Sequence, residues 1–244
     1  MIPLRDANPV RRTPIVTIAI IAACVVVFAY SLGLDSTSGS ASGNGFIERY
    51  GLVPARLTAA IESGRGLVEQ LLTILTSMFL HGSLLHIGGN MLYLWIFGNN
   101  IEDRLGRFGF VVFYLFGGTV AALAQVAIDT TSPIPIIGAS GAISATLGAY
   151  LVLFPRARVL SLIFLGFFYQ LIEVPATIIL GLWFLLQIVD AIGSLGVAGS
   201  EGGVALFAHI GGFVAGVIVG LIVRARGGGR GEPAYRSPVG LGVG

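Results

Sequence analysis

The chain has 244 residues, 55% hydrophobic and only 11% charged, too little charge to cover a water-facing globular surface. Its net charge of +2 is small and dispersed, which sets nucleic acid aside as a partner. A single cysteine, Cys24, lies in an apolar run, so neither a disulfide framework nor a cysteine metal site is available. What remains is an integral protein of the lipid bilayer. Alternating strands of the kind that build a membrane barrel are missing, so the spans are helical.

In chain order, residues 1–14 read as an N-terminal tail bearing Arg5, Arg11 and Arg12. The apolar run 15–34 is long enough to cross a hydrocarbon core of roughly 30 Å. It also fits a signal peptide, but it lacks a small-x-small cleavage site at its end, which favours an uncleaved span. Residues 35–76 form an outer segment. It opens with "DSTSGSASGNG", read as flexible, and continues as "FIERYGLVPARLTAAIESGRGLVEQLL", whose mixed spacing predicts a helix lying in the interface. Further spans are expected at 77–100, 108–128, a short 138–154, 172–194 and 204–223. The apolar stretch 159–171 reads as an inner interfacial loop or an extension of helix five, and residues 225–244 as a disordered tail. The fold class expected is therefore all-α, a polytopic six-transmembrane-helix bundle over 15–224.

All the basic side chains are arginine. An inside N-terminus collects Arg5, Arg11, Arg12, Arg104, Arg107, Arg156, Arg158, Arg224, Arg226, Arg230 and Arg236 on the inner side, leaving Arg49, Arg56 and Arg65 outside. That asymmetry follows the positive-inside rule and predicts cytoplasmic termini in a cell inner or plasma membrane.

Polar groups at membrane depth are costly and point to function or to interhelical bonding. The three histidines, His81, His86 and His209, all fall in or beside spans. His86 and Asn90, four residues apart, share one helix face. Helix four carries Ser140, Ser144 and Gly148 at four-residue steps, and helix six carries His209, Gly212, Gly216 and Gly220. Both stripes suit close backbone packing. If they face one another, Ser140 meets His209. A serine hydroxyl becomes a nucleophile when a neighbouring base takes its proton, and neutral imidazole serves near neutral pH. Gly138 and Gly141 leave room for a substrate carbonyl, and the N-terminus of helix four, with His86 and Asn90, offers donors to an oxyanion. Asp129 and Asp190 read as interface residues, so the expectation is a dyad. HExxH is missing, which disfavours metalloprotease chemistry, and no inverted repeat suggests a transporter.

The motifs "GASG" around Ser140, "HGSLLHIGGN", "IEDRLG", "VPATIILGLWFLLQ" and "AHIGGFVAG" together resemble the rhomboid family of intramembrane serine proteases. That resemblance implies a nucleophile at Ser140 and a general base at His209. It implies oxyanion contacts from His86, Asn90 and the Ser140 backbone. It further implies Glu102 and Arg104 as a structural pair bracing the first helices, helix five with Trp183 and Phe184 as a lateral gate, and a flexible cap around 197–203. Substrates would be single-span membrane proteins cut near the outer face, with no metal or cofactor. The alternative within the family is a catalytically silent protein that binds transmembrane helices. Two departures stand out. Ser144 occupies a position where many relatives carry an aromatic stacked on the catalytic histidine, and the outer segment lacks the Trp-Arg pair of some bacterial members.

Overall fold

A computed structural model describes residues 2–38, 40–165, 168–194 and 206–227. Helices occupy all six stretches expected to be apolar spans. They are α1 (Ile15–Ser38), α5 (Leu84–Tyr93) continuing through a π-helical turn into α6 (Asn99–Leu105), α7 (Arg107–Ile128), α8 (Ser140–Leu153), α9 (Ala176–Ser194) and α10 (Leu206–Arg226). Among the described residues, three helices are individually long and apolar enough to cross a membrane, within α1, α7 and α10. A fourth crossing follows if the pair Leu67–Phe79 and Leu84–Leu105, bent by 81°, is one broken span. The shorter apolar helices are α8 and the Ala176–Val189 part of α9. The molecule is a helical, polytopic membrane protein.

The segment 35–76, expected on the outer side, is helical, as α2 (Ser40–Tyr50), α3 (Pro54–Ser63) and α4 (Leu67–Thr76). This corrects the expectation of a flexible start, because α1 runs on to Ser38 and α2 resumes at Ser40. Once a span is helical, adding residues to its end avoids the cost of nucleation. Phe46 of α2 also packs on Tyr30 of α1 (ring centroids 5.5 Å apart) and on Tyr50 (4.9 Å).

The stretch after α8 is neither loop nor helix. Strands β2 (Arg158–Leu165) and β3 (Phe168–Pro175) form an antiparallel hairpin, and β1 (Ile2–Asp6), from the expected tail, adds to β2 in the order β1-β2-β3. Residues 172–175, expected in the fifth span, therefore belong to β3, which runs directly into α9. A ladder pairs backbone groups that a loop at the membrane edge would leave unsatisfied. Alternation sets the inner face: Asp6, Val159 and Val174 stand in register and are buried, as is Ser161. The Asp6 carboxylate is clamped there, accepting hydrogen bonds from Asn100 Nδ2 (2.7 Å), Tyr150 Oη (2.9 Å) and Asn8 Nδ2 (3.1 Å).

The core is the contact of α8 with α10 and α7. A Cβ at Gly212 would overlap the Gly141 carbonyl oxygen, one at Gly216 the Ala145 carbonyl oxygen, and one at Gly148 the Phe213 carbonyl oxygen. The small-residue stripes of helices four and six thus face each other backbone to backbone. Gly117 and Gly141 serve the same close approach between α7 and α8, each facing an alanine methyl. Deeper down, Tyr150, Phe97 and Leu147 fill the space and are fully buried.

Candidate active site

Ser140 is the first residue of α8, after Gly138 and Ala139. Gly138 has φ +118°, a region that side chains rarely adopt. Its N–H donates to the Ser77 carbonyl at 2.9 Å. Upstream, Ile136 and Leu52 exchange backbone hydrogen bonds of 2.7 and 3.2 Å, tying this loop to the chain between α2 and α3. The turn that presents Ser140 is therefore held from two sides.

α10 supplies the partner. His209 is buried near its N-terminus, and His209 Nε2 stands 2.8 Å from Ser140 Oγ. The start of α10 is fixed by Gln125 of α7, whose side-chain oxygen accepts from the N–H groups of Phe207 (3.1 Å) and Ala208 (3.3 Å). Gln125 escaped the sequence reading, since a glutamine within an apolar helix carries no motif. His209 Nδ1 is buried with no hydrogen-bond partner among the described residues. The His209 ring lies 5.6 Å from that of Trp183 in α9.

α5 faces the same place. Its N-cap, Ser83, accepts from the His86 N–H at 3.2 Å, which aligns the first turn. The His86 ring lies against Gly138: a Cβ there would stand 2.7 Å from His86 Nε2 and 3.6 Å from Ser140 Oγ. His81 packs edge-on against His86, with ring centroids 5.1 Å apart. One turn below His86, the Asn90 side-chain nitrogen is buried and unpartnered among the described residues. Ser140, His209, His86 and Gly138 thus converge.

The Ser144 hydroxyl donates to the Ser140 carbonyl at 2.7 Å. Glu102 and Arg104 point in different directions. The Glu102 carboxylate is buried and accepts from the N–H groups of Val16 (3.0 Å) and Thr17 (2.8 Å) and from the Thr17 hydroxyl (2.8 Å), so it caps α1. The Arg104 guanidinium lies beside Gly227, after α10. The expected cap around 197–203 lies outside the described residues.

The Rhomboid domain profile matches residues 68–226, more than half of the chain. The chain belongs to the rhomboid family. This rhomboid chain is 33% identical over 161 residues to Rhomboid protein 1, mitochondrial, of Saccharomyces cerevisiae, covering 63% of the chain and 42% of the relative. It is 33% identical over 148 residues to Rhomboid protease GluP of Bacillus subtilis, covering 61% and 26%. Presenilin-associated rhomboid-like protein, mitochondrial, of Homo sapiens matches at 37% over 97 residues, covering 39% and 25%. The chain thus spans less than half the length of each of these relatives.

Proposed function

We propose that this rhomboid is a serine-type endopeptidase that cuts transmembrane proteins within the membrane, near its outer face. The observation that carries the reading is the 2.8 Å contact between Ser140 Oγ and His209 Nε2, a distance suited to proton transfer. Ser140 Oγ attacks the scissile carbonyl carbon while His209 Nε2 takes its proton. Negative charge develops on the carbonyl oxygen, and the Ser140 N–H at the start of α8, His86 and Asn90 supply donors to it. The imidazolium then protonates the leaving amine, leaving an acyl ester on Ser140. A water, deprotonated by His209, hydrolyses that ester and restores the dyad. No step calls for a metal or cofactor.

All six apolar helices cross the bilayer in this reading, and the arginine distribution puts both termini in the cytoplasm of a cell bounded by an inner or plasma membrane. The substrates are single-span membrane proteins that reach Ser140 past α9, the lateral gate. The test is cleavage of a labelled single-span reporter by the purified protein in liposomes, wild type beside Ser140→Ala. Cutting by the wild type alone is the expected result. Binding of the reporter without cutting by either protein would favour the silent helix-binding alternative.

A further inference from the structure

A dyad has no third side chain to hold its base, yet an imidazole displaced by about 1 Å can lose on the order of 100-fold in rate. His209 Nδ1 finds no hydrogen-bond partner among the described residues. Its Nε2 contacts Ser140 Oγ, the atom it must serve. The neighbouring hydroxyl on α8, that of Ser144, is committed to the Ser140 carbonyl at 2.7 Å. What packs on the imidazole is the indole of Trp183, with ring centroids 5.6 Å apart and planes inclined at 53°. Trp183 is itself held, half-buried, between Tyr93 of α5 at 6.0 Å and Phe184 at 6.5 Å. A row of rings therefore runs from α5 through α9 to the base on α10.

We infer that Trp183 is the positioning residue for His209, so that the proposed dyad is complete only while α9 is seated against the bundle. This rests on the proteolytic reading above. The indole does two things for the base. It restrains the ring, so that Nε2 stays on Ser140, and its centroid lies 5.6 Å from the imidazole on which charge appears when His209 takes the proton. Both effects belong to the chemical step and leave substrate affinity alone. On α9 itself, Ile178, Leu185, Leu186 and Val189 are all exposed. A helix that moves to admit substrate thereby loosens the base, and its return rebuilds the dyad around the bound peptide.

The test compares wild type, Trp183→Leu, Trp183→Phe and Ser140→Ala, all as the full chain in liposomes. Two rates are read: labelling of Ser140 by a small fluorophosphonate, and reporter cleavage resolved into kcat and KM. Trp183→Leu is expected to lower both the labelling rate and kcat by about 10- to 100-fold, with KM unchanged. Trp183→Phe, which keeps a ring, is expected to recover most of both. A Trp183 that merely closes a gate predicts the opposite sign, since leucine would ease entry and raise both rates. Equal or faster labelling by Trp183→Leu, or a phenylalanine variant no better than leucine, would overturn the inference while leaving the dyad standing. Wild type labelled no faster than Ser140→Ala would remove the dyad and this inference with it.

Discussion

Ser140 Oγ and His209 Nε2 lie 2.8 Å apart across 69 residues of chain, brought together by two glycine-lined helices packed backbone to backbone. Neither side chain carries the fold at this contact. Ser140→Ala and His209→Ala are each expected to lower cleavage by about 10⁴-fold or more, as loss of a member of a nucleophile and base unit does. Their thermal unfolding should stay near that of wild type. Reporter cleavage and a melting curve in the same detergent check this, and full activity in either variant would reject the dyad.

Asn90 presents a buried amide nitrogen with no partner among the described residues, one turn after His86 on α5. In the proposed mechanism the transition-state oxyanion gives that donor its use. Asn90→Ala is expected to reduce kcat by about 10²- to 10³-fold, with KM little changed. A loss confined to KM would assign Asn90 to substrate binding.

Gly212 and Gly216 sit where a Cβ would meet the carbonyl oxygens of Gly141 and Ala145. Side chains there must push α10 away from α8, with a cost of about 1–3 kcal/mol or more. Gly212→Leu is expected to lower the melting temperature and the cleavage rate together. An unchanged melting temperature would reject the backbone contact.

Glu102 satisfies two backbone N–H groups and one hydroxyl at the start of α1. Removing the carboxylate strands these donors in a buried place, so Glu102→Ala should cost about 3 kcal/mol. Glu102→Gln should fall between it and wild type. Denaturant titration in mixed micelles measures the difference, and labelling of Ser140 in the remaining folded protein should be unaffected.

Asp6 lies in β1, outside the spans, and burial raises its pKa from an ordinary 3.8 to about 6, opposed by the hydrogen bonds from Tyr150, Asn8 and Asn100. The folded state therefore holds the proton more tightly than the unfolded chain. Above pH 6 the ionised form costs about 3 kcal/mol. That cost is relieved as pH falls through 6 toward 4, so this group's contribution to stability rises on acidification. Asp6→Asn keeps an acceptor for the three donors and is expected to flatten the dependence between pH 7 and pH 5. An identical pH profile in wild type and Asp6→Asn would contradict the assignment.

Composition and hydropathy by themselves determined that this is a helical membrane protein, because so few charges cannot cover a soluble surface and long apolar runs satisfy their own backbone only as helices. The small-residue periodicities at Ser140, Ser144 and Gly148 and at His209, Gly212 and Gly216 were equally legible, since a period near 3.6 places them on one face each. Other features depend on chain segments far apart in sequence. The pairing of β1 with β2, whose partners in register lie 153 to 160 residues apart, leaves no local trace in an apolar run that reads equally as loop or helix. Glu102 sits beside Arg104 in the chain, yet its partners are the N–H groups of α1 some 85 residues earlier. The contact of Trp183 with His209 arises only when α9 is laid against α10. Local patterning chooses an element and its buried face. Which faces meet, and which ring comes to rest on the base, is decided by packing.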